Sequence, residues 1–290
     1  MSDIPDEYRG AIAASHPELS DRPAILHTRG WDSDAVEVGG TIFKFPKRPE
    51  AVERLRREVR FLALIRPRVL LTVPDMVLRE TPRVFSEHRM IPGTIIETAG
   101  YDALSEAQKQ AMGETLGQFY AELHAIPVAD AIAIGAEPKP EWPGADEVLP
   151  ILRERLPAAM RDYARKAFAA YAELPAEDQV FGYFDGHGWN MAFDHQSGVL
   201  NGVYDFADAA IGPRSREFTY SNLTSGDLTE RIVSVYARLT GHAIDLRAVA
   251  IRTAVQGLSE LAEESSDIEM FVAGATRWHD YMQARPDLRL

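Results

Sequence analysis

Cysteine is absent from the 290-residue chain. That excludes disulfides, thiolate-bound zinc, iron–sulfur clusters and a cysteine nucleophile, and it accords with a reducing compartment. Long apolar runs are missing too, since none approaches the ~18 residues that span a bilayer. Met1–Gly10 is acidic and is not a signal peptide. A cytoplasmic location with no membrane partner is therefore expected. Positive charge is scarce, with 31 Lys and Arg against 44 Asp and Glu and a net charge of −13. Such a balance disfavours nucleic acid as a partner. Several site signatures are lacking as well. There is no Gly-x4-Gly-Lys-Ser/Thr loop, no Gly-x-Gly-x-x-Gly turn and no Gly-x-Ser-x-Gly elbow, and the eight His show no His-Glu-x-x-His spacing. P-loop and Rossmann nucleotide binding are thereby disfavoured, as are the corresponding nucleophile and metal schemes.

What is present suffices for a sizeable core, because 46% of residues are hydrophobic. Charge divides the chain. Residues 1–100 hold 15 acidic and 15 basic side chains, whereas residues 101–290 hold 29 and 16. An acidic half can attract a cationic ligand. Alternating or apolar runs predict strands at Ala24–Arg29, Ala35–Val38, Thr41–Phe45, Thr72–Arg79 and Arg83–Met90, broken by Gly and Pro. Val52, Leu55, Val59 and Leu62 fall on one helical face, predicting a helix over Glu50–Ile65. From about residue 104 the periodicity is helical. Ser105 and Gln108 have the capping-box form, and Met112, Leu116, Phe119 and Leu123 continue the stripe. A loop is expected over Asp130–Gly144, and helices over Asp146–Leu174 (interrupted at Pro150 and Pro157), Asp227–Thr240, Asp245–Ala262 and Asp267–Ala284. A β-rich island, Gln179–Gly212, lies among them. This order predicts a bilobal α+β fold with a β-rich N-terminal lobe, residues 1–93, and a mostly helical C-terminal lobe, residues 94–290.

The island carries the chemistry. Asp185 and Asn190 stand five apart in a Gly-rich loop, and Asp205-Phe206 follows fifteen residues after Asn190. A hairpin joining Met191–Phe193 to Val203–Tyr204 would bring Asn190 and Asp205 together. An amide carbonyl and a carboxylate are hard oxygen ligands suited to Mg²⁺. Asp185, one loop away, could orient and deprotonate a hydroxyl nucleophile.

Asp185-Gly-His187-Gly-Trp189-Asn190 with Asp205-Phe206-Ala207-Asp208 resembles the aminoglycoside phosphotransferase family of protein-kinase-like folds. Glu217-Phe218 and Leu123-His124 also fit that pattern. The resemblance implies a small-molecule kinase with Asp185 as catalytic base, Asn190 and Asp205 as Mg²⁺ ligands, and His187 and Asp208 as loop support. Lys44, on a predicted strand, and Glu58, beside the buried face of the next helix, would pair and hold the phosphates of ATP or GTP. Gly30–Asp34, with Ser33, resembles the phosphate-covering turn, and Glu87, His88 and Arg89 would supply backbone groups at the nucleotide-base hinge. The sequence departs from the family where His-Gly usually precedes the catalytic Asp. Tyr183 and Phe184 stand there, so Tyr183 either replaces the brace by stacking or by its hydroxyl, or the protein is a catalytically silent nucleotide binder. Ala207 also replaces a usual Gly. The acceptor implied is a small hydroxyl compound, cationic and aminoglycoside-like, with a macrolide or another metabolite as the alternative. Glu260, Glu263, Glu264 and Trp278 are its candidate lining.

Overall fold

The computed structural model of the chain describes residues 4–28, 30–264 and 267–290. Arg29, the last residue of the first expected strand, lies outside them. The chain opens with a helix that the strand-dominated reading of this region does not anticipate, α1 (Asp6–Ser15). Strands β1 (Ala24–His27), β2 (Ser33–Val38) and β3 (Thr41–Pro46) follow, then α2 (Pro49–Ile65), β4 (Val77–Arg79) and β5 (Phe85–Arg89). The five strands form one antiparallel sheet in the order β1-β2-β3-β5-β4. Of the expected strand Thr72–Arg79 only the last three residues pair in this sheet, because Pro74 has no N–H to donate to a ladder.

Register fixes the two faces of the sheet. Phe43 and Phe45 point to one side with Val36 and Phe85, all fully buried, and α1 covers them with Tyr8, Ala11 and Ile12. The Tyr8 ring stacks on Phe45 at 4.2 Å. Side chains alternate along a strand, so Lys44, opposite Ala35 and Ser86, takes the other face.

The rest is mainly helical: α3 (Thr98–Asp102), α4 (Glu106–His124), α5 (Val128–Ala133), α6 (Ala145–Arg155) and α7 (Arg161–Ala172), then, after the island, α8 (Gly226–Thr240), α9 (Leu246–Glu263) and α10 (Ile268–Ala284). The Ser105–Gln108 capping box at the start of α4 is formed. Two expectations need correction. Asp130–Ala133, the start of the expected loop, complete the helix α5, and Pro150 sits inside α6 without ending it. The chain breaks at Pro157 instead, where a 3₁₀ turn leads into α7. The island supplies β6 (Gln179–Gly182), β7 (Met191–Asp194), β8 (Val199–Val203) and β9 (Ala210–Pro213), paired antiparallel as β6 with β9 and β7 with β8. A main core of Phe61, Phe119, Phe181, Phe206, Phe218 and their neighbours runs beneath these strands, and a second joins α6, α7, α9 and α10. Among the described residues no helix is long and apolar enough to cross a membrane.

Candidate active site

Lys44 emerges from β3 into a ring of carboxylates. Its Nζ lies 2.8 and 3.0 Å from the two Glu58 oxygens and 3.1 Å from Asp205 Oδ1. Glu58 faces inward because α2 carries it on the side of Leu55 and Leu62, and it is 1% exposed. Its Oε1 also accepts from the Phe206 backbone N–H at 3.0 Å. Burial alone would push the Lys44 pKa down, but Asp205 and Glu58 outweigh it and raise it. Lys44 in turn holds Asp205 below the usual carboxylate range. The cation is thus fixed and permanently charged.

The loop after β6 presents Asp185. Its carboxylate accepts from Asn190 Nδ2 at 2.7 Å and lies 3.1 Å from His187 Nε2. Burial raises the Asp185 pKa, and His187 offsets part of that shift. The backbone leading in is strained, with Phe184 at φ 52° in the left-handed region that non-glycine residues avoid. Fully buried Glu217 compensates by accepting the N–H groups of Tyr183 at 2.7 Å and Phe184 at 2.8 Å, with His124 Nε2 at 3.2 Å behind it. Glu217→Ala leaves two buried N–H groups unpaired and is expected to cost about 2–6 kcal/mol. Chemical denaturation checks this, and an unchanged midpoint would contradict it. Close packing also fixes the loop. A Cβ on Gly188 would sit 1.8 Å from the Ile96 carbonyl oxygen.

Asp205 arrives from the β7–β8 hairpin. Met191 pairs with Val203, and Tyr204 N donates to Asn190 O at 3.0 Å, which places Asp205 beside Asn190. Asp205 is itself left-handed, at φ 65°. Sparsely populated backbone of this kind concentrates at functional sites. Tyr183 bridges the two loops. Its ring stacks on Phe206 at 4.4 Å and its hydroxyl donates to the Tyr204 carbonyl. Stacking and a hydroxyl bond, the two contacts expected of Tyr183, are both made.

A sequence profile described as the phosphotransferase enzyme family matches residues 24–251, which span all of these groups. The chain belongs to that family. It is a small-molecule phosphotransferase, and its fold is the bilobal kinase-like one. No curated protein matches the chain. Solved structures match along nearly its whole length. The GDP complex of wild-type aminoglycoside 2'-phosphotransferase-IIIa superposes with a TM-score of 0.77 at 22% identity, covering 95% of this chain and 98% of that one. Macrolide 2'-phosphotransferase MphH from Brachybacterium faecium, as apoenzyme, gives 0.69 at 19% identity, covering 93% and 98%. The streptomycin–ATP ternary complex of APH(2'')-IIa gives 0.65 at 18% identity, covering 95% and 96%.

Other residues singled out in the phosphotransferase sequence take varied places. Ser33 opens β2, and the turn before it is tied down by Lys47 Nζ, 2.8 Å from Thr28 O and 2.6 Å from Gly30 O. Glu87 lies on the sheet face away from Lys44, where it takes His16 at 2.7 Å and Arg79 at 2.7 Å, so its side chain is structural. Arg89 ends β5, exposed, opposite Thr41. His88 shares the face of Lys44. Burial and the Lys44 charge lower its pKa to about 4, keeping it neutral. Asp208 pairs with Lys139 at 3.0 Å and Arg54 at 3.6 Å. Sequence reading did not single out Lys139, whose partner Asp208 lies 69 residues away.

The acceptor candidates on the helical side divide. Burial raises the Glu260 pKa, its charge acts on Asp185 and His187, and its carboxylate accepts from Gln256 Nε2 at 3.0 Å. Glu263 is exposed at the end of α9. Glu264 caps that end, its carboxylate accepting from Asp267 N at 3.3 Å and its carbonyl from Arg155. Trp278 packs in the second core, stacked on Tyr281 at 4.8 Å with its N–H on Ala250 O. Ala250 and Glu260 are about 15 Å apart along α9, so Trp278 is a core residue and not a companion of Glu260.

Proposed function

We propose that this phosphotransferase transfers the γ-phosphate of ATP or GTP to a hydroxyl of a small cationic acceptor of aminoglycoside type, with Mg²⁺. The observation that carries the reading is the Asp185 carboxylate, fixed between His187 and Asn190 and placed near the Lys44–Glu58–Asp205 cluster. Lys44 offers a charge to the donor phosphates, and Glu58 keeps it from collapsing elsewhere. Asp185 accepts or orients the proton of the attacking hydroxyl, a role that a raised pKa suits. In this type of transfer positioning and electrostatics do most of the work.

The residues present fit a magnesium ion. Asn190 commits its amide N–H₂ to Asp185, leaving its carbonyl oxygen for a cation, and Lys44 bonds only one Asp205 oxygen. Among the described residues no cluster of three or more His, Cys, Asp or Glu could hold a metal alone. Two protein oxygens completed by phosphate oxygens suit Mg²⁺. When bound, the ion would neutralise charge on the phosphate oxygens.

Glu260 and the acidic excess beyond residue 100 support a cationic acceptor, and complexes of similar folds hold kanamycin or streptomycin. A macrolide is the second reading, because macrolide phosphotransferases share the fold. A nucleotide donor and the lack of cysteine suit a cytoplasmic enzyme. The test is phosphate transfer from ATP and GTP to kanamycin, gentamicin, streptomycin and a macrolide. Turnover on an aminoglycoside, lost with EDTA and restored by Mg²⁺, is expected. Thermal stabilisation by nucleotide with no turnover on any acceptor would instead mark a silent binding protein.

A further inference from the structure

Trp189 lies in the catalytic loop, four residues after Asp185, yet 51% of it is exposed. Its sequence position suggests packing, but the structure shows an open ring on a fixed backbone. Gly188–Asn190 form a 3₁₀ turn, Asn190 N donates to His187 O at 3.0 Å, Gly188 N donates to Thr224 Oγ1 at 2.9 Å, and Tyr204 Oη donates to Trp189 O at 2.9 Å. The indole meets the His187 imidazole edge to face, with centroids 5.2 Å apart, and that imidazole touches Asp185. A large apolar ring is thus held in solvent beside the imidazole that touches Asp185.

We infer that Trp189 is the platform on which the acceptor's ring rests. The site then selects acceptors that combine a ring with a nearby cation, which an indole face attracts. This rests on the cationic-acceptor reading above and names a residue that would enforce it.

The test compares wild type, Trp189→Phe and Trp189→Ala in steady-state transfer from ATP to kanamycin, gentamicin or streptomycin, whichever the wild type turns over. Trp189→Ala is expected to raise the acceptor KM ~3–30-fold, with kcat and the ATP KM within twofold, and Trp189→Phe to recover most of the loss. A kcat loss at constant acceptor KM would show a loop-shaping role and overturn the inference, as would an unchanged acceptor KM. Should the alanine protein not fold, fluorescence decides. The acceptor-dependent change in tryptophan emission should vanish in Trp189→Phe although Trp31, Trp142 and Trp278 remain, and its persistence there overturns the inference. A wild type that hydrolyses ATP but phosphorylates none of the three acceptors overturns the cationic-acceptor reading first, and this inference with it.

Discussion

Asp185→Asn is expected to lower kcat for phosphate transfer about 10²–10⁴-fold, the usual contribution of a general base, while the nucleotide Kd changes little. The side chain is nearly isosteric and can still meet its Asn190 and His187 neighbours, so a loss of rate is chemical and not conformational. In the proposed reading nucleotide contacts fall to Lys44 and to the Mg²⁺ held by Asn190 and Asp205, none of which this change replaces. The pH profile provides an independent check. Burial raises the Asp185 pKa, with His187 offsetting part of the rise. Below that pKa the carboxyl carries a proton and cannot accept another. Plots of kcat/KM should therefore fall as pH drops through a value above the ~3.9 of an ordinary Asp, and Asp185→Asn should lack that limb. Turnover that survives the substitution would remove Asp185 from the mechanism.

Lys44→Met is expected to damage both rate and stability. Removing a preorganised charge from a phosphate site typically costs about 10²–10³-fold in kcat, and the nucleotide KM should rise. Stability falls because Glu58, 1% exposed, loses the cation only 2.8 Å away. Breaking such a buried pair from one side costs about 3–5 kcal/mol. The double variant Lys44→Met with Glu58→Gln separates the two effects. Neutralising the stranded carboxylate should return most of the stability and none of the activity. Equal urea midpoints for the single and double variants would show that the pair does not govern folding.

Much of the site is legible in the sequence because its parts are local. Asp185 and Asn190 share one loop, a hairpin of short strands is written in Met191–Phe193 and Val203–Tyr204, and period-two alternation with Phe43 and Phe45 puts Lys44 on the opposite face. The same locality explains the capping box at Ser105. Misreadings arise where a distant surface decides. Residues 6–15 have only three buried side chains and form a helix because the outer sheet face needs a cover. Pro150 is tolerated in α6, which buries Val148 and Leu152 in the second core. Trp278 has a residue type suited to a site, yet the group its N–H meets, the Ala250 carbonyl, lies on another helix that no local pattern could name.

By itself, then, the sequence determined which residue types stand in which order: a lysine on a strand, a glutamate on the next helix, an aspartate and asparagine in one loop and a second aspartate after a hairpin. Tertiary structure alone decided that Lys44 reaches Asp205 across 161 residues of chain, that Tyr183 braces Phe206, and that Trp189 remains exposed. The reason is physical. Periodicity reports the face a side chain takes on its own element, whereas a charge pair or an exposed ring depends on what another element brings opposite it, and that is set only when the core closes.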